Sequence, residues 1–143
     1  MTQKLGSIMT SNVISVAPNQ SIKEAAELMS QYNVGSLPVV ENGQLRGMIT
    51  DRDITLRSTA KGGQENTSVS QCMTSQNLVS GTSEMDVHEA SEIMAQNQIR
   101  RLPVVDNNKM VGMVSLGDFA TQNDYQNEAG EALTNISTPS EPK

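Results

Sequence analysis

Leu37-Pro38-Val39-Val40, followed by Gly47-Met48-Ile49-Thr50, recurs 65 positions later as Leu102-Pro103-Val104-Val105 and Gly112-Met113-Val114-Ser115. Asp53 falls on Asp118 at the same offset, and upstream Met9-Thr10-Ser11 matches Met73-Thr74-Ser75 at an offset of 64. The one-residue slip lies near Asn77, in an expected loop, so strand and helix phases survive it. Ile8 to Ile54 therefore aligns with Cys72 to Phe119. Two copies of a unit this long are not a solenoid; they read as a pseudo-two-fold pair of similar halves.

Each copy alternates strand-like and helix-like signals. Val13-Ile14-Ser15-Val16 is a β-branched run stopped by Pro18. Ile22, Ala25, Ala26 and Met29 then fall at helical spacing, as do Val87, Ala90, Ile93 and Met94. Ser21 with Glu24, and Asp86 with Glu89, are placed as N-caps with their boxes. Two strands follow, joined through Asn42-Gly43 in one copy and Asn107-Asn108 in the other, residues that accept the positive φ of a tight hairpin. A second helix is expected from about Asp51 and from about Gly117. The pattern predicts an α/β (α+β) fold built from tandem β-α-β-β-α repeats packed as a pseudo-two-fold pair.

A helical turn should lead into each half, since Leu5, Ile8 and Met9 share the i, i+3, i+4 spacing of Val69, Cys72 and Met73. The polar stretch from Ser58 to Ser68, with Gly62-Gly63, suits an exposed connection. Expected boundaries are residues 5–67 for the first repeat, 69–126 for the second, and 127–143 for a short helix and flexible tail. In that last segment Ala129, Ala132, Leu133 and Ile136 fit an amphipathic helix, and the Pro- and Ser-rich end from Ser137 reads as disordered.

Composition narrows the function. Among 143 residues, 16 acidic against 10 basic give a formal net charge of -6, which repels phosphate backbones and anionic membranes. Aromatics are 2% of the chain, so base stacking is disfavoured. One cysteine, Cys72, and one histidine, His88, are too few for a four-ligand zinc site or an internal disulfide. Cys72 reads as a small buried hydrophobe and His88 as surface. No nucleophile with an assisting histidine, metal cluster or glycine-rich phosphate loop is found, so no catalytic or metal residue is assigned. Without a signal segment or long apolar run, the default compartment is the cytoplasm.

The ordered set, Met-Thr at the entrance, Leu-Pro-Val-Val in the middle and Gly-hydrophobic-hydrophobic-[Ser/Thr]-x-x-Asp at the end, resembles the CBS domain over roughly residues 5 to 120. The resemblance implies two repeats packed through their sheets as a Bateman module. It also implies two clefts for adenosyl ligands (AMP, ADP, ATP, NAD or S-adenosylmethionine types) and association into a homodimer.

Thr50-x-x-Asp53 and Ser115-x-x-Asp118 carry the chemistry. Each puts a hydroxyl at a strand end and a carboxylate one turn into the next helix. A carboxylate accepts both hydroxyls of a ribose in charge-assisted bonds, and the hydroxyl with nearby helix amides suits a phosphate oxygen. The same pattern is also a plain capping box, and the two roles are compatible. The resemblance places the adenine pocket at Val13, Ile14, Ser36, Leu37 and Pro38, and at Leu78, Val79, Leu102 and Pro103, with Arg101 entering the second strand. The copies differ where Gly35-Ser36 becomes Arg100-Arg101, and where Asp51-Arg52 becomes Leu116-Gly117. Phosphates should therefore gather at Arg100 and Arg101, with Arg52 and Arg57 as candidates in the first copy. Asp51 could hold magnesium carried by a nucleotide. The expected function is a sensor of an adenosyl ligand, its output read in trans by an unidentified regulated protein. The alternative is a ligand-free structural dimerisation module.

Overall fold

The computed structural model describes residues 3–120; the predicted C-terminal helix, the tail and the end of the second repeat lie outside them. Within this span the element order is α1 (Ile22–Tyr32), β1 (Ser36–Glu41), β2 (Gln44–Thr50), α2 (Asp51–Arg57), α3 (Val87–Asn97), β3 (Arg101–Asp106), β4 (Lys109–Ser115) and α4 (Leu116–Ala120). Single 3-10 turns at Leu5–Ser7 and Val69–Gln71 are the two predicted lead-in turns.

The local causes are legible. In α1 the Ser21 side chain accepts from the Glu24 amide at 3.1 Å, and the helix stops at Asn33, whose φ of 54° is left-handed. Ile22, Ala25 and Met29 are buried along one stripe. The β1–β2 hairpin closes through Asn42 (φ 54°) and Gly43 (φ 79°), and β3–β4 through Asn107 and Asn108 (φ 50° and 65°), so all four loop residues take the positive φ of a primed turn.

Two expectations need correction. The run Val13 to Val16 forms no strand: only Val16 pairs, in a single parallel bridge with Val39, and Gly81 does the same with Val104. The ladder ends there because the chain turns at once, with Gln20 N–H donating to Ala17 O at 3.1 Å and the Gln20 side chain accepting from Ala17 N–H. Asp86 occupies the N-cap position of α3 but its side chain makes no capping bond. Residues 3 and 4 run past it instead, and Gln3 O accepts from Val87 N–H at 2.9 Å.

The described chain divides into two compact units that do not follow the repeat boundaries. One comprises residues 14–78 with 108–110, the other residues 3–13, 79–107 and 111–120. The first-repeat unit has its core on Val16, Ile22, Ala25, Met29, Leu37, Val39, Ile49, Val69 and Cys72. The second-repeat unit has its core on Leu5, Val87, Ala90, Met94, Leu102, Val104, Val114 and Phe119. Each lead-in turn thus packs in the unit of the other repeat, Val69 and Cys72 in one and Leu5 in the other.

That exchange explains two motif residues. Thr74 forms a two-bond bridge with Met48 in β2 (2.9 and 2.8 Å), and Thr10 does so with Met113 in β4 (2.9 Å each). Glycine is required opposite: a Cβ on Gly47 would lie 2.7 Å from Thr74 O, and one on Gly112 would lie 2.9 Å from Thr10 O. The entrance Met-Thr of one repeat therefore needs the glycine of the other.

Candidate functional site

Thr50 ends β2 and caps α2. Its hydroxyl accepts from Asp53 N–H at 2.9 Å, and the Thr50 amide donates to Asp53 Oδ2 at 3.0 Å, a complete reciprocal box. In the second-repeat unit the Ser115 amide donates to Asp118 Oδ2 at 2.8 Å, and the Ser115 hydroxyl lies 3.3 Å from the same oxygen. Both carboxylates are thus locked in direction by their own strand ends through Oδ2.

The entry to the middle strand lies against each capped junction. Ser36 is opposite Thr50 in the antiparallel register. Gly35 O accepts from Asp51 N–H at 3.0 Å, and Arg100 O accepts from Leu116 N–H at 3.1 Å. These bonds bring Ser36, Thr50 and Asp53 together in one unit and tie the Arg100 backbone to the Ser115–Asp118 junction in the other, with Arg101 next in the chain. Gly35 was not among the sequence candidates. A Cβ there would stand 3.4 Å from Asp51 Oδ2, and the signal was its replacement by Arg100 in the second copy.

Other candidates have separate surroundings. Leu37 and Leu102 are fully buried core residues, and Pro38 and Pro103 are buried beside them. Ile14 and Val79 are half-buried and pack against those cores. Val13 falls in the second-repeat unit and Leu78 in the first-repeat unit, so each predicted apolar pair is divided between units. Arg52 is exposed and lines a shallow depression of about 350 Å³ with Asp51, Thr55 and Leu56. Arg57 is engaged elsewhere: its Nη1 donates to Cys72 O at 3.2 Å and Met73 O at 3.1 Å, and its Nε lies 3.8 Å from Asp53 Oδ1.

Cys72 is buried, as its residue type suggested. Burial first, then the negative charge of Asp53, push its thiol up, and Arg57 opposes them. His88 is exposed and pairs with Glu92 at 3.0 Å. Among the described residues no group of three or more His, Cys, Asp or Glu side chains could hold a metal ion, and no helix is long and apolar enough to cross a membrane.

Two similar α+β units, each ending on a strand-to-helix junction with a fixed hydroxyl–carboxylate pair, define a duplicated small-domain module. A family model described as the CBS domain matches residues 5–58 and again residues 69–122, and the chain belongs to the CBS domain family. Pairs of such repeats are regulatory, ligand-binding units. The chain is 57% identical over 129 residues to the CBS domain-containing protein YhcV of Bacillus subtilis, covering 90% of this chain and 91% of that one. It superposes with a TM-score of 0.77 and 28% identity on Hypoxic Response Protein I, crystallised with two coordinated zinc ions, covering 84% of this chain and 98% of that one. Inosine-5'-monophosphate dehydrogenase of Methanocaldococcus jannaschii is 30% identical over 129 residues, which cover 89% of this chain but 25% of that enzyme.

Proposed function

We propose that this protein is a non-catalytic sensor whose two repeats each present a site for an adenosine-containing ligand. The observation that carries the reading is the pair of oriented carboxylates, Asp53 and Asp118, set one turn beyond Thr50 and Ser115 in both units. A ribose diol is the natural partner of such a carboxylate, because two adjacent hydroxyls can donate to it at once. Ser36 and the backbone around Leu37-Pro38 in one unit, and that around Leu102-Pro103 in the other, flank the junctions and serve the adenine edge, with Ile14 and Val79 as apolar neighbours in their own units. Phosphates are taken at Arg100 and Arg101, two adjacent cations in an otherwise acidic chain, whose backbone meets the Ser115 junction where Arg100 O accepts from Leu116 N–H. Magnesium enters only as a companion of those phosphates. Output runs through the geometry of a homodimer, read by another protein in trans in the cytoplasm.

A ligand-free dimerisation module is the second reading, favoured by one specific feature. The Thr50–Asp53 box by itself accounts for the Thr-x-x-Asp spacing, with no ligand needed to explain it. Calorimetry with AMP, ADP, ATP, NAD and S-adenosylmethionine separates the two. A sensor binds at least one of them, and Asp118→Ala weakens that binding about ten- to hundredfold, the worth of one lost charge-assisted bond. Absence of binding by all five, or an Asp118→Ala variant that binds as wild type does, removes the sensor reading.

A further inference from the structure

Arg57 stands at the C-terminal end of α2, one turn beyond Asp53, yet its guanidinium serves a different segment. A single nitrogen, Nη1, takes the carbonyls of both Cys72 and Met73, while Nε faces Asp53 Oδ1 at 3.8 Å. One planar, permanently charged group therefore touches the site carboxylate and the backbone that leads from the first repeat into the second. That backbone is held close by: Val69 and Cys72 lie in the first-repeat core, and Thr74 is bonded to Met48. The corresponding sequence position in the second repeat is Gln122, which carries no charge.

We propose that Arg57 is a positioning residue that couples the Asp53 carboxylate to the Cys72–Met73 backbone, so that a sugar engaging Asp53 loosens the lead-in segment of the second repeat. The coupling rests on the adenosyl-site reading for its trigger, though not for its geometry. Asp53 has the direction of its Oδ2 fixed by the Thr50 amide, and its Oδ1 holds Arg57 by charge. Ligand hydroxyls that donate to the carboxylate disperse that charge, and the half-exposed guanidinium is then released toward water. With it goes the clamp on two consecutive carbonyls. The raised Cys72 thiol, sensitive to Asp53 and Arg57 in opposite directions, places the same three groups within electrostatic reach of one another.

The test is hydrogen exchange of the Thr74 amide, with the Ala25 amide in α1 of the same unit as the fold control. Arg57→Gln should speed Thr74 exchange about tenfold or more while leaving Ala25 unchanged, the scale of a lost charged donor. Asp53→Asn keeps a capping oxygen and removes the charge. It should speed Thr74 about three- to tenfold alone and less than about twofold when added to Arg57→Gln. Equal effects of Asp53→Asn in both backgrounds, or an unchanged Thr74 in Arg57→Gln, overturn the coupling. If Arg57→Gln also speeds Ala25, Arg57→Lys replaces it in the cycle, since it keeps the charge and cannot span both partners. Saturating AMP should speed Thr74 in the wild type and not in Arg57→Gln; an equal AMP response in both overturns the proposal. If AMP, ATP, NAD and S-adenosylmethionine all fail to bind by calorimetry, the ligand reading falls, and the mutant cycle alone decides the role of Arg57.

Discussion

Substituting Gly47 by alanine probes the exchange of lead-in segments directly. The added Cβ would sit 2.7 Å from Thr74 O, 2.9 Å from Met73 Sδ and 3.3 Å from Met73 Cγ. The thioether can swing away, but Thr74 O is backbone and is held by Met48 N–H at 2.9 Å, with the return bond at 2.8 Å. Relief therefore requires moving the 73–74 segment off β2 by about half an ångström or more. Overpacking of this kind costs about 1–3 kcal/mol, and weakening one of the two bridging bonds adds about 1 kcal/mol. The smaller entropy of the unfolded alanine chain returns roughly 0.4–1 kcal/mol. The net loss should be about 1–3.5 kcal/mol, which lowers the urea midpoint by about 0.7–2.3 M for a slope on the order of 1.5 kcal/mol/M.

Two other glycines make the experiment specific. Gly117 lies in α4, and among the described residues a Cβ there would meet only the Ser115 hydroxyl at 3.5 Å, so Gly117→Ala should stabilise by about 0.5–1 kcal/mol. Gly62 has no described residue within 4 Å of an added Cβ but a φ of 74°, so Gly62→Ala isolates the backbone cost, about 1 kcal/mol. Urea unfolding followed by circular dichroism ranks the three. A Gly47→Ala variant within about 0.5 kcal/mol of wild type would refute the argument that the Met73-Thr74 segment needs a bare backbone beneath it.

The N-caps should differ in the same assay: Ser21→Ala should cost about 1 kcal/mol and Asp86→Ala markedly less, because only Ser21 makes a side-chain capping bond; equal costs would contradict this. Asp106 accepts from the Ser83 hydroxyl and, at 3.0 Å, from the Ser83 amide, which hold its carboxyl below the usual range. Its folded pKa is depressed, so its contribution is present above about pH 4 and is lost as pH falls through the folded value. Asp106→Asn should flatten the acid limb of stability against pH, and an unchanged limb would exclude the role. A fragment of residues 14–78 should unfold cooperatively while one of residues 5–67 should not, since the latter lacks Val69 and Cys72, both core residues. Equal stability of the two fragments would show that the lead-in exchange is dispensable.

Most of the secondary structure was legible because short-range chemistry sets it. Ser21 with Glu24, the Asn-Gly and Asn-Asn hairpins, and the Thr50 and Ser115 junctions are each determined within four residues. What failed to show is non-local. Val13 to Val16 has the composition of a strand, but pairing stops at Val16 because the turn through Ala17 to Gln20 begins there. Asp86 has the composition of a cap, but Gln3, more than eighty positions away, supplies the bond in the α3 first turn. The contacts of Arg57 did not show either, because nothing in its neighbours announces two carbonyls fifteen and sixteen residues on. The repeat itself was visible, while the trading of lead-in turns between its copies was not. An internal alignment compares equivalent residues and carries no information about which copy a residue packs against.

The duplicated junction also puts a cap and the proposed recognition group in one motif. In both units the strand-end amide draws on the same carboxylate oxygen, Oδ2, and this direction-setting bond is what makes the aspartate a defined acceptor rather than a mobile one. A cap is therefore a precondition for a rigid sugar site, and its presence does not compete with binding. Divergence lies one step away, on the flanking pair: Gly35 beside Asp51 in the first repeat, Arg100 beside Leu116 in the second. The first pair presents a carboxylate next to a bare backbone, the second an arginine next to an apolar side chain. A common frame with opposite flanking charge is the pattern expected where both sites hold the same nucleoside core and discriminate by what is attached to it. Swapping the pairs, Gly35→Arg with Asp51→Leu and Arg100→Gly with Leu116→Asp, should then move phosphate preference to the first repeat without disturbing either cap.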